Sequence, residues 1–451
     1  MAKRIPEPTK PPRERAFLIG VEFKNDENIL PLEDSLEELA MLAFTAGLEV
    51  VGETTQRRDR PNPETLIGSG KVEEIKILIE ETLTQIVLFD NELSPRHLRE
   101  LEKKFGQNVR VLDRTALILD IFAQHAKTRE GILQVQLAQY EYRLPRLTRA
   151  WTHLARQSGG SAGRGGTAGV GLRGPGETQL EVDRRAIRTQ ISILKEKLEK
   201  VRAHRARYRE NRKRSQIPTV ALVGYTNAGK STLLKRLTNA DVLVANRLFA
   251  TLDPTTRRIE LPTGTNFLMT DTVGFIQKLP HQLVAAFRAT LEEIAEADLL
   301  LHIVDVTHPN AIAQWKSVQQ TLADLGAENI PAITVLNKID RLPSEEIPPD
   351  TRFFFEDAVS ISAKKGLGLP DLLSEIELKL FHELVPIKVE LPYKQGNLIS
   401  IFHDQGQVTK IEHGRGKILM EGYIPGRLTT QYQPFFLKED LLDENEQDKE
   451  L

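Results

Sequence analysis

A nine-residue stretch at 224–232, GYTNAGKST, constrains the possible fold more than any other part of the chain. An apolar run at 219–223 precedes it, and the leucine-rich segment LLKRL follows it. The two glycines allow backbone N–H groups to turn inward, and a helix that starts after them adds the positive end of its dipole. A strand, a glycine loop and a helix in this order form a cradle for phosphate groups and predict an α/β domain of the P-loop type.

The cradle suggests a role for its side chains. Lys230 is expected to reach the β- and γ-phosphates of a nucleotide and to act in catalysis, and the Ser231 hydroxyl is expected to bind Mg²⁺. The other residues of the stretch that we expect to contact the nucleotide are Gly224, Tyr225, Thr226, Asn227, Ala228, Gly229 and Thr232.

The residues after two later strands are predicted to select the base. The apolar run at 333–336 ends in Asn337, Lys338, Ile339 and Asp340. The Asp340 carboxylate can accept hydrogen bonds from N1–H and the exocyclic amine of guanine, whereas adenine offers neither donor. Asn337 would support the base edge, and the stem of Lys338 would pack along it. The run at 358–361 then delivers a backbone contact for the guanine carbonyl through Ser362, Ala363 and Lys364.

Another apolar run, at 266–270, ends in Asp271, Thr272, Val273 and Gly274, which completes the pattern of a GTP-binding domain. Asp271 can hold the metal through its water shell, and the Gly274 N–H can sense the γ-phosphate during catalysis. The next residue, at the position of a water-orienting glutamine, is Phe275. Because a phenyl ring can neither orient nor polarise water, we predict slow intrinsic hydrolysis.

Between the glycine loop and Asp271 lies a candidate switch loop, FATLDPTTR at 249–257. A switch loop must offer a Thr hydroxyl to Mg²⁺ when the γ-phosphate is present. Thr251, Thr255 and Thr256 compete for that role, and the residues alone do not choose among them. The predicted nucleotide contacts of this loop are Phe249, Ala250, Thr251, Leu252 and Asp253.

A helical hairpin with a glycine-rich tip is predicted at 126–214. Apolar residues recur in steps of three and four from Leu133 to Leu154 and again from Leu180 to Val201, and Pro145 should kink the first helix. The connecting loop at 156–176 has nine glycines, three arginines and no acid, and residues 184–214 carry thirteen Lys/Arg against three Glu. This balance indicates contact with a nucleic-acid backbone, and the residues we assign to it are Arg156, Arg164, Arg173, Arg184, Arg185 and Arg188.

The remaining segments complete the predicted organisation, which is α/β throughout apart from the hairpin. Alternating strand-like and helix-like runs at 16–125 predict an N-terminal α/β domain, which follows a basic tail at 1–15. The GTP-binding domain is predicted at 217–385 with a mostly parallel sheet, followed by a small α/β C-terminal domain at 387–434 and an acidic tail at 435–451.

Three segments resemble HflX-type ribosome-associated GTPases: the switch loop FATLDPTTR, the stretch at 271–293 that begins DTVGFIQKLP, and the stretch at 159–185 that begins GGSAGRGGTAG. The resemblance implies a cytoplasmic, Mg²⁺-dependent GTPase that binds the large ribosomal subunit and its rRNA, and that splits or rescues stalled ribosomes or assists subunit maturation. It also implies that Thr251 is the metal-binding and catalytic switch residue, and that a partner completes the active site in place of the glutamine that Phe275 replaces.

Composition restricts the alternatives. The 451 residues include no cysteine, which excludes disulfide scaffolds, Cys-based metal sites and the reactive thiol of GTP-dependent tRNA-modifying factors. We expect neither a secretory signal nor a membrane-spanning segment, because no apolar run approaches about 20 residues. A GTP-dependent RNA-processing factor and a membrane-associated regulatory G protein remain alternatives. For the second, the basic helix lacks the aromatic face typical of interfacial helices. We expect a monomer.

Overall fold

The computed structural model describes residues 13–24, 30–106, 108–147, 179–214, 217–238, 248–249, 252–261, 264–278, 293–342, 348–382, 384–414 and 416–437. Backbone contacts divide the chain into two compact units. The first comprises Met1–Arg207, Arg247–Leu252 and Gln277–Arg288, and the second comprises Tyr208–Asn246, Asp253–Ile276 and Ala289–Leu451. Among the described residues, no helix is long and apolar enough to cross a membrane.

The first unit contains a four-stranded parallel sheet in the order β2-β1-β3-β4. Its strands are β1 (Arg15–Phe23), β2 (Glu49–Arg58), β3 (Ile86–Phe89) and β4 (Arg110–Asp113), and the helices between and after them are α1 (Leu32–Thr45), α2 (Ser69–Thr82), α3 (Pro95–Phe105) and α4 (Arg114–His125). Residues 16–21 of β1 are all buried, as expected for a parallel strand that helices cover on both faces. The predicted alternation of strands and helices is therefore present.

Two long helices form the predicted hairpin: α5 (Arg129–Arg146) and α6 (Gln179–Arg214), of which the residues up to Arg207 belong to the first unit. Leu133 and Leu137 of α5 share one buried cluster with Leu194 and Leu198 of α6, so the apolar seam is the one that the heptad spacing predicts. The predicted kink at Pro145 stays a prediction, because residues 148–178 lie outside the described part of the chain. Helix α5 ends one residue after Pro145, because proline lacks the N–H that would continue the helix, and the following residue is extended.

The second unit contains a six-stranded sheet in the order β10-β9-β8-β5-β7-β6, in which only β6 runs antiparallel to its neighbour. The strands are β5 (Thr219–Gly224), β6 (Thr255–Glu260), β7 (Asn266–Asp271), β8 (Leu299–Asp305), β9 (Ala332–Asn337) and β10 (Val359–Ser360). The helices of this part of the second unit include α7 (Lys230–Thr238), α8 (Ala311–Asp324), α9 (Pro349–Phe354) and α10 (Leu369–Glu377). The carboxyl ends of the five parallel strands meet at one edge, where ligands bind in such sheets.

The last part of the second unit is a three-stranded antiparallel sheet in the order β11-β13-β12. Its elements are β11 (Leu384–Pro392), α11 (Gly396–Gln405), β12 (Gln407–His413), β13 (Lys417–Pro425) and α12 (Thr429–Tyr432). Val389, Phe402 and Met420 form the centre of its core. The small C-terminal α/β fold is thus observed, with β11 beginning three residues earlier than the predicted boundary at 387.

Candidate nucleotide-binding site

The loop between β5 and α7 depends on its two glycines. Gly224 has φ +145°, and a Cβ there would lie 2.3 Å from the carbonyl oxygen of Ile303. Gly229 has φ +106°, and its Cβ would lie 2.2 Å from Nδ2 of Asn337. Any larger residue would therefore overlap the neighbouring strand or its side chain, and the close packing holds the loop in the shape of a phosphate cradle.

Lys230, the first residue of α7, is buried inside the loop. Its Nζ donates hydrogen bonds to the carbonyl oxygens of Gly224 and Tyr225, both at 2.9 Å. Burial lowers the pKa of Lys230 to about 8, although the nearby Asp271 carboxylate opposes this shift. A phosphate group brought to the loop would supply the negative charge that favours the protonated amine.

The predicted metal-binding region brings two oxygen donors together. The Ser231 hydroxyl donates a hydrogen bond to Oδ2 of Asp271 at 2.6 Å. Thr272 anchors the end of β7, because its hydroxyl donates to the carbonyl oxygen of Leu222 on the adjacent strand. A hydroxyl and a carboxylate are hard oxygen ligands of the kind that Mg²⁺ prefers, so the residues present fit that ion.

The backbone of Phe275 joins the segment after β7 to the glycine loop. Its N–H donates to the carbonyl oxygen of Gly224 at 3.1 Å, and its carbonyl oxygen accepts from the N–H of Thr226 at 2.7 Å. The Phe275 side chain is buried, with 3% of its surface exposed. The ring at the glutamine position therefore fills space, and it brings no polar group to this edge of the sheet.

Asn337 links the later segments to the glycine loop, and Asp340 contacts the segment after β10. Asn337 donates from Nδ2 to the carbonyl oxygen of Ala228 at 2.8 Å and accepts from the N–H of Ala363 at 3.0 Å. The Ser362 hydroxyl donates to Oδ1 of Asp340 at 2.7 Å. This hydrogen bond holds the pKa of Asp340 below its usual value, so the carboxylate is ionised and available as an acceptor.

Two polar side chains of β8 interact electrostatically with lysines of the motifs, although the motifs do not contain them. Asp305 lies beside Asn337 in the sheet register, and its Oδ2 is 2.5 Å from Nζ of Lys338. His302 is fully buried; its Nδ1 lies 3.3 Å from Nε2 of Gln319, and its ring stacks on Trp315. Burial and then the charge of Lys230 lower the pKa of His302 to about 3, so the ring stays neutral. The sequence signal for Asp305 and His302 was that each is a polar residue in the otherwise apolar strand β8.

The described residues of the switch loop are divided between the two units. Phe249 belongs to the first unit, whereas residues 253–257 belong to the second, where Thr255 and Thr256 begin β6. Phe249, with φ +57°, meets the ring of Phe122 edge-on at 4.6 Å between centroids. The N–H of Leu248 donates to the hydroxyl of Thr45 at 3.3 Å. Ala250 and Thr251 lie outside the described residues, so the assignment of Thr251 to Mg²⁺ stays a prediction.

A buried ionic cluster, which the sequence analysis missed, lies at the carboxyl ends of β3 and β4 in the first unit. Asp90 accepts hydrogen bonds from Arg114 at 2.7 Å, from Ser35 at 2.8 Å and from Lys278 at 2.6 Å. Arg114 also pairs with Glu38. Burial alone would raise the pKa of Asp90, but the charges of Arg114 and Lys278 outweigh it and hold the pKa below its usual value.

The predicted rRNA-contacting arginines are only partly described. Arg185 and Arg188 are exposed on α6, and Arg184 is half-buried there. Arg156, Arg164 and Arg173 lie outside the described residues. Their contact with RNA therefore stays a prediction.

Comparison with known proteins identifies the family. Three family models match the chain: "GTP-binding GTPase N-terminal" at residues 33–123, "GTP-binding GTPase Middle Region" at 125–212 and "50S ribosome-binding GTPase" at 219–338. The GTPase HflX of Caldanaerobacter subterraneus is 44% identical over 94% of each chain, and that of Escherichia coli is 43% identical over 88% of this chain and 90% of its own. The crystal structure of the SsGBP and GDP complex, at 25% identity, covers 80% of this chain and 97% of that one, with a TM-score of 0.45. The chain belongs to the HflX family of GTPases.

Proposed function

We propose that this GTPase hydrolyses GTP with Mg²⁺ in the cytoplasm, as a monomer that binds the large ribosomal subunit and its rRNA. It acts in splitting or rescuing stalled ribosomes or in ribosome biogenesis. Intrinsic hydrolysis is slow, and the ribosome stimulates it. The observation that carries the nucleotide part is the arrangement of Asp340, Ser362 and Asn337 beside the glycine loop.

Guanine recognition follows from the charge state of Asp340. Its carboxylate is ionised and already aligned by the Ser362 hydroxyl, so it can accept from the two donors on the guanine edge. Adenine would leave that carboxylate without donors, which costs binding free energy. Lys338, held by Asp305, would lie along the base, and the backbone at 362–364 would contact the guanine carbonyl.

The phosphates would be held by the glycine loop and by Lys230. Ser231 would bind Mg²⁺ directly together with Thr251, and Asp271 would hold the water shell of the ion. Mg²⁺ would neutralise charge that develops on the β- and γ-phosphates during transfer to water. The N–H of Gly274 would contact the γ-phosphate and thereby report its presence.

Slow intrinsic hydrolysis follows from Phe275, whose buried ring offers no group to orient the attacking water. Binding to the large ribosomal subunit is supported by the description of the family model that matches residues 219–338 and by the basic character of α6. Electrostatic attraction to rRNA phosphates would provide affinity without base readout.

Steady-state turnover of the full chain tests this proposal. GTP and ATP are compared with Mg²⁺ and with EDTA, alone and with purified large subunits. We expect turnover of GTP only with Mg²⁺, and an increase when subunits are added. Equal turnover without Mg²⁺, or none above background with subunits, would contradict the proposal. Ser231→Ala should weaken the Mg²⁺ dependence, and co-sedimentation with anionic liposomes instead of ribosomes would favour the membrane alternative.

A further inference from the structure

Thr226, in the middle of the glycine loop, has a buried hydroxyl that the fold does not use. Its side chain is 8% exposed, and its Oγ1 has no hydrogen-bond partner among the residues that the structure describes. The backbone N–H of the same residue is satisfied, because it donates to the carbonyl oxygen of Phe275. More than about 90% of buried polar groups in folded proteins have a partner, so this hydroxyl requires an explanation.

The side chain of Thr226 lies beside two groups that the proposed function assigns to the γ-phosphate. An ideal Cβ on Gly274 would lie 2.7 Å from Cγ2 of Thr226 and 3.1 Å from Nζ of Lys230. The Thr226 methyl group, the Gly274 α-carbon and the Lys230 ammonium therefore converge on one small volume. Because Lys230 and the Gly274 N–H would both contact the γ-phosphate, that volume is the neighbourhood of the terminal phosphate.

Because the Thr226 hydroxyl is buried, a hydrogen bond to a bound ligand would stabilise it strongly. Inside the protein, a hydroxyl that loses its contact with water gains strongly from a charged acceptor, and phosphate oxygens are such acceptors. Phe275 cannot supply an acceptor from its side chain, and its carbonyl oxygen already accepts from the Thr226 N–H. The nucleotide that the proposed function assigns to this loop would bring such an acceptor.

We propose that the Thr226 hydroxyl donates a hydrogen bond to the γ-phosphate of bound GTP, so that Thr226 helps to distinguish GTP from GDP. The inference rests on the proposed nucleotide site and deepens it. In the GDP complex the hydroxyl lacks this acceptor, and its contribution is therefore confined to the triphosphate. The loop backbone, in contrast, serves both nucleotides.

Nucleotide titration of the full chain tests the proposal. Dissociation constants for GDP and for guanosine 5′-[β,γ-imido]triphosphate are measured by calorimetry with Mg²⁺ for the wild-type chain, Thr226→Val and Thr226→Ser. Valine keeps the shape and removes the hydroxyl, whereas serine keeps the hydroxyl. A hydrogen bond to a charged group predicts that valine weakens binding of the triphosphate analogue on the order of tenfold or more. GDP binding should stay within about twofold in the same variant, and serine should restore the preference.

Two results would overturn the proposal. Thr226→Val could leave both dissociation constants unchanged, or it could weaken the binding of both nucleotides equally, which is the behaviour of a merely structural residue. Thr238→Val, at the last residue of α7, is the matched control for replacing a threonine by valine, and it should change neither dissociation constant. Failure of the wild-type chain to bind either nucleotide would instead contradict the proposed function, so the two failures are distinguishable.

Discussion

Asp340 is the residue whose chemistry would decide between guanine and other bases. Replacing it by asparagine presents an amide donor where the carboxylate accepted, so Asp340→Asn should lose GTP affinity by on the order of a hundredfold and gain affinity for xanthosine triphosphate. Competition binding with the two triphosphates measures the switch. Asp350→Asn, on α9, is the control and should change neither affinity. An unchanged preference for GTP in Asp340→Asn would place the base pocket elsewhere.

Lys230 makes nucleotide affinity depend on pH in a defined direction. Burial lowers its pKa to about 8 in the nucleotide-free protein, and bound phosphate would raise that pKa again. Below pH 8 the Lys230 amine is protonated in both the nucleotide-free and the nucleotide-bound protein, so nucleotide affinity should be constant. Above pH 8 binding must take up a proton, and affinity should fall by up to about tenfold per pH unit.

The dissociation constant of GDP between pH 7 and 9 measures this effect. Lys230→Arg should bind more weakly but with a flat profile, because the guanidinium does not titrate in this range. A flat profile for the wild-type chain would show that Lys230 is not the group that senses the phosphates.

The sequence predicted a site residue where one short motif contains both the functional side chain and the strand or loop that positions it. The glycine loop, Asp271, Asn337, Asp340 and Ser362 are of that kind, and the second unit brings these residues together. Asp305 and His302 were missed because their partners lie on other elements. Strand register places Asp305 beside Asn337, whereas His302 contacts Gln319 and Trp315 of α8. No local pattern encodes either contact.

At the scale of elements, periodicity predicted which helix faces pack. The heptad spacing predicted the seam between α5 and α6, and Leu133, Leu137, Leu194 and Leu198 form it. The end of α5 was not predicted, because spacing alone extended the first helix beyond Pro145. Similarly, β2 continues to Arg58 although its apolar run ends at Gly52, since edge strands of a sheet tolerate polar residues that face water.

The seam makes a prediction about the stability of the hairpin. Leu198 is 5% exposed, and Leu198→Ala should lower the free energy of unfolding by about 2–5 kcal/mol, because it removes transfer free energy and leaves a cavity. Ile193, on the same helix, is 38% exposed, so Ile193→Ala should cost much less. Thermal melting followed by far-ultraviolet circular dichroism compares the two. Equal midpoints for both variants would contradict the packing role of the seam.

At the scale of the whole molecule, the proposed function requires two features to act together. Phe275 offers no group to orient water, and α6, with 36 residues, extends about 54 Å at 1.5 Å per residue. A long basic helix suits contact with an extended polyanion, whereas hydrolysis needs a defined active site. If hydrolysis depends on a bound partner, then binding of the polyanion by α6 and hydrolysis of GTP occur together. Ribosome binding should therefore weaken steeply with salt, since each phosphate contact releases counterions.

The glycine-rich loop at 156–176 provides the last test. Replacing it with a short neutral turn should leave GTP binding intact, because the loop lies outside the segments that form the nucleotide site. The variant should lose most of the stimulation of GTP turnover by large subunits, and it should no longer separate 70S ribosomes. The reason is that the loop carries Arg156, Arg164 and Arg173 without any acid. Turnover with large subunits and separation of 70S ribosomes on sucrose gradients measure both effects. If the variant matched the wild-type chain in both measurements, the loop would be only a connector, and the contact that stimulates hydrolysis would have to come from another surface.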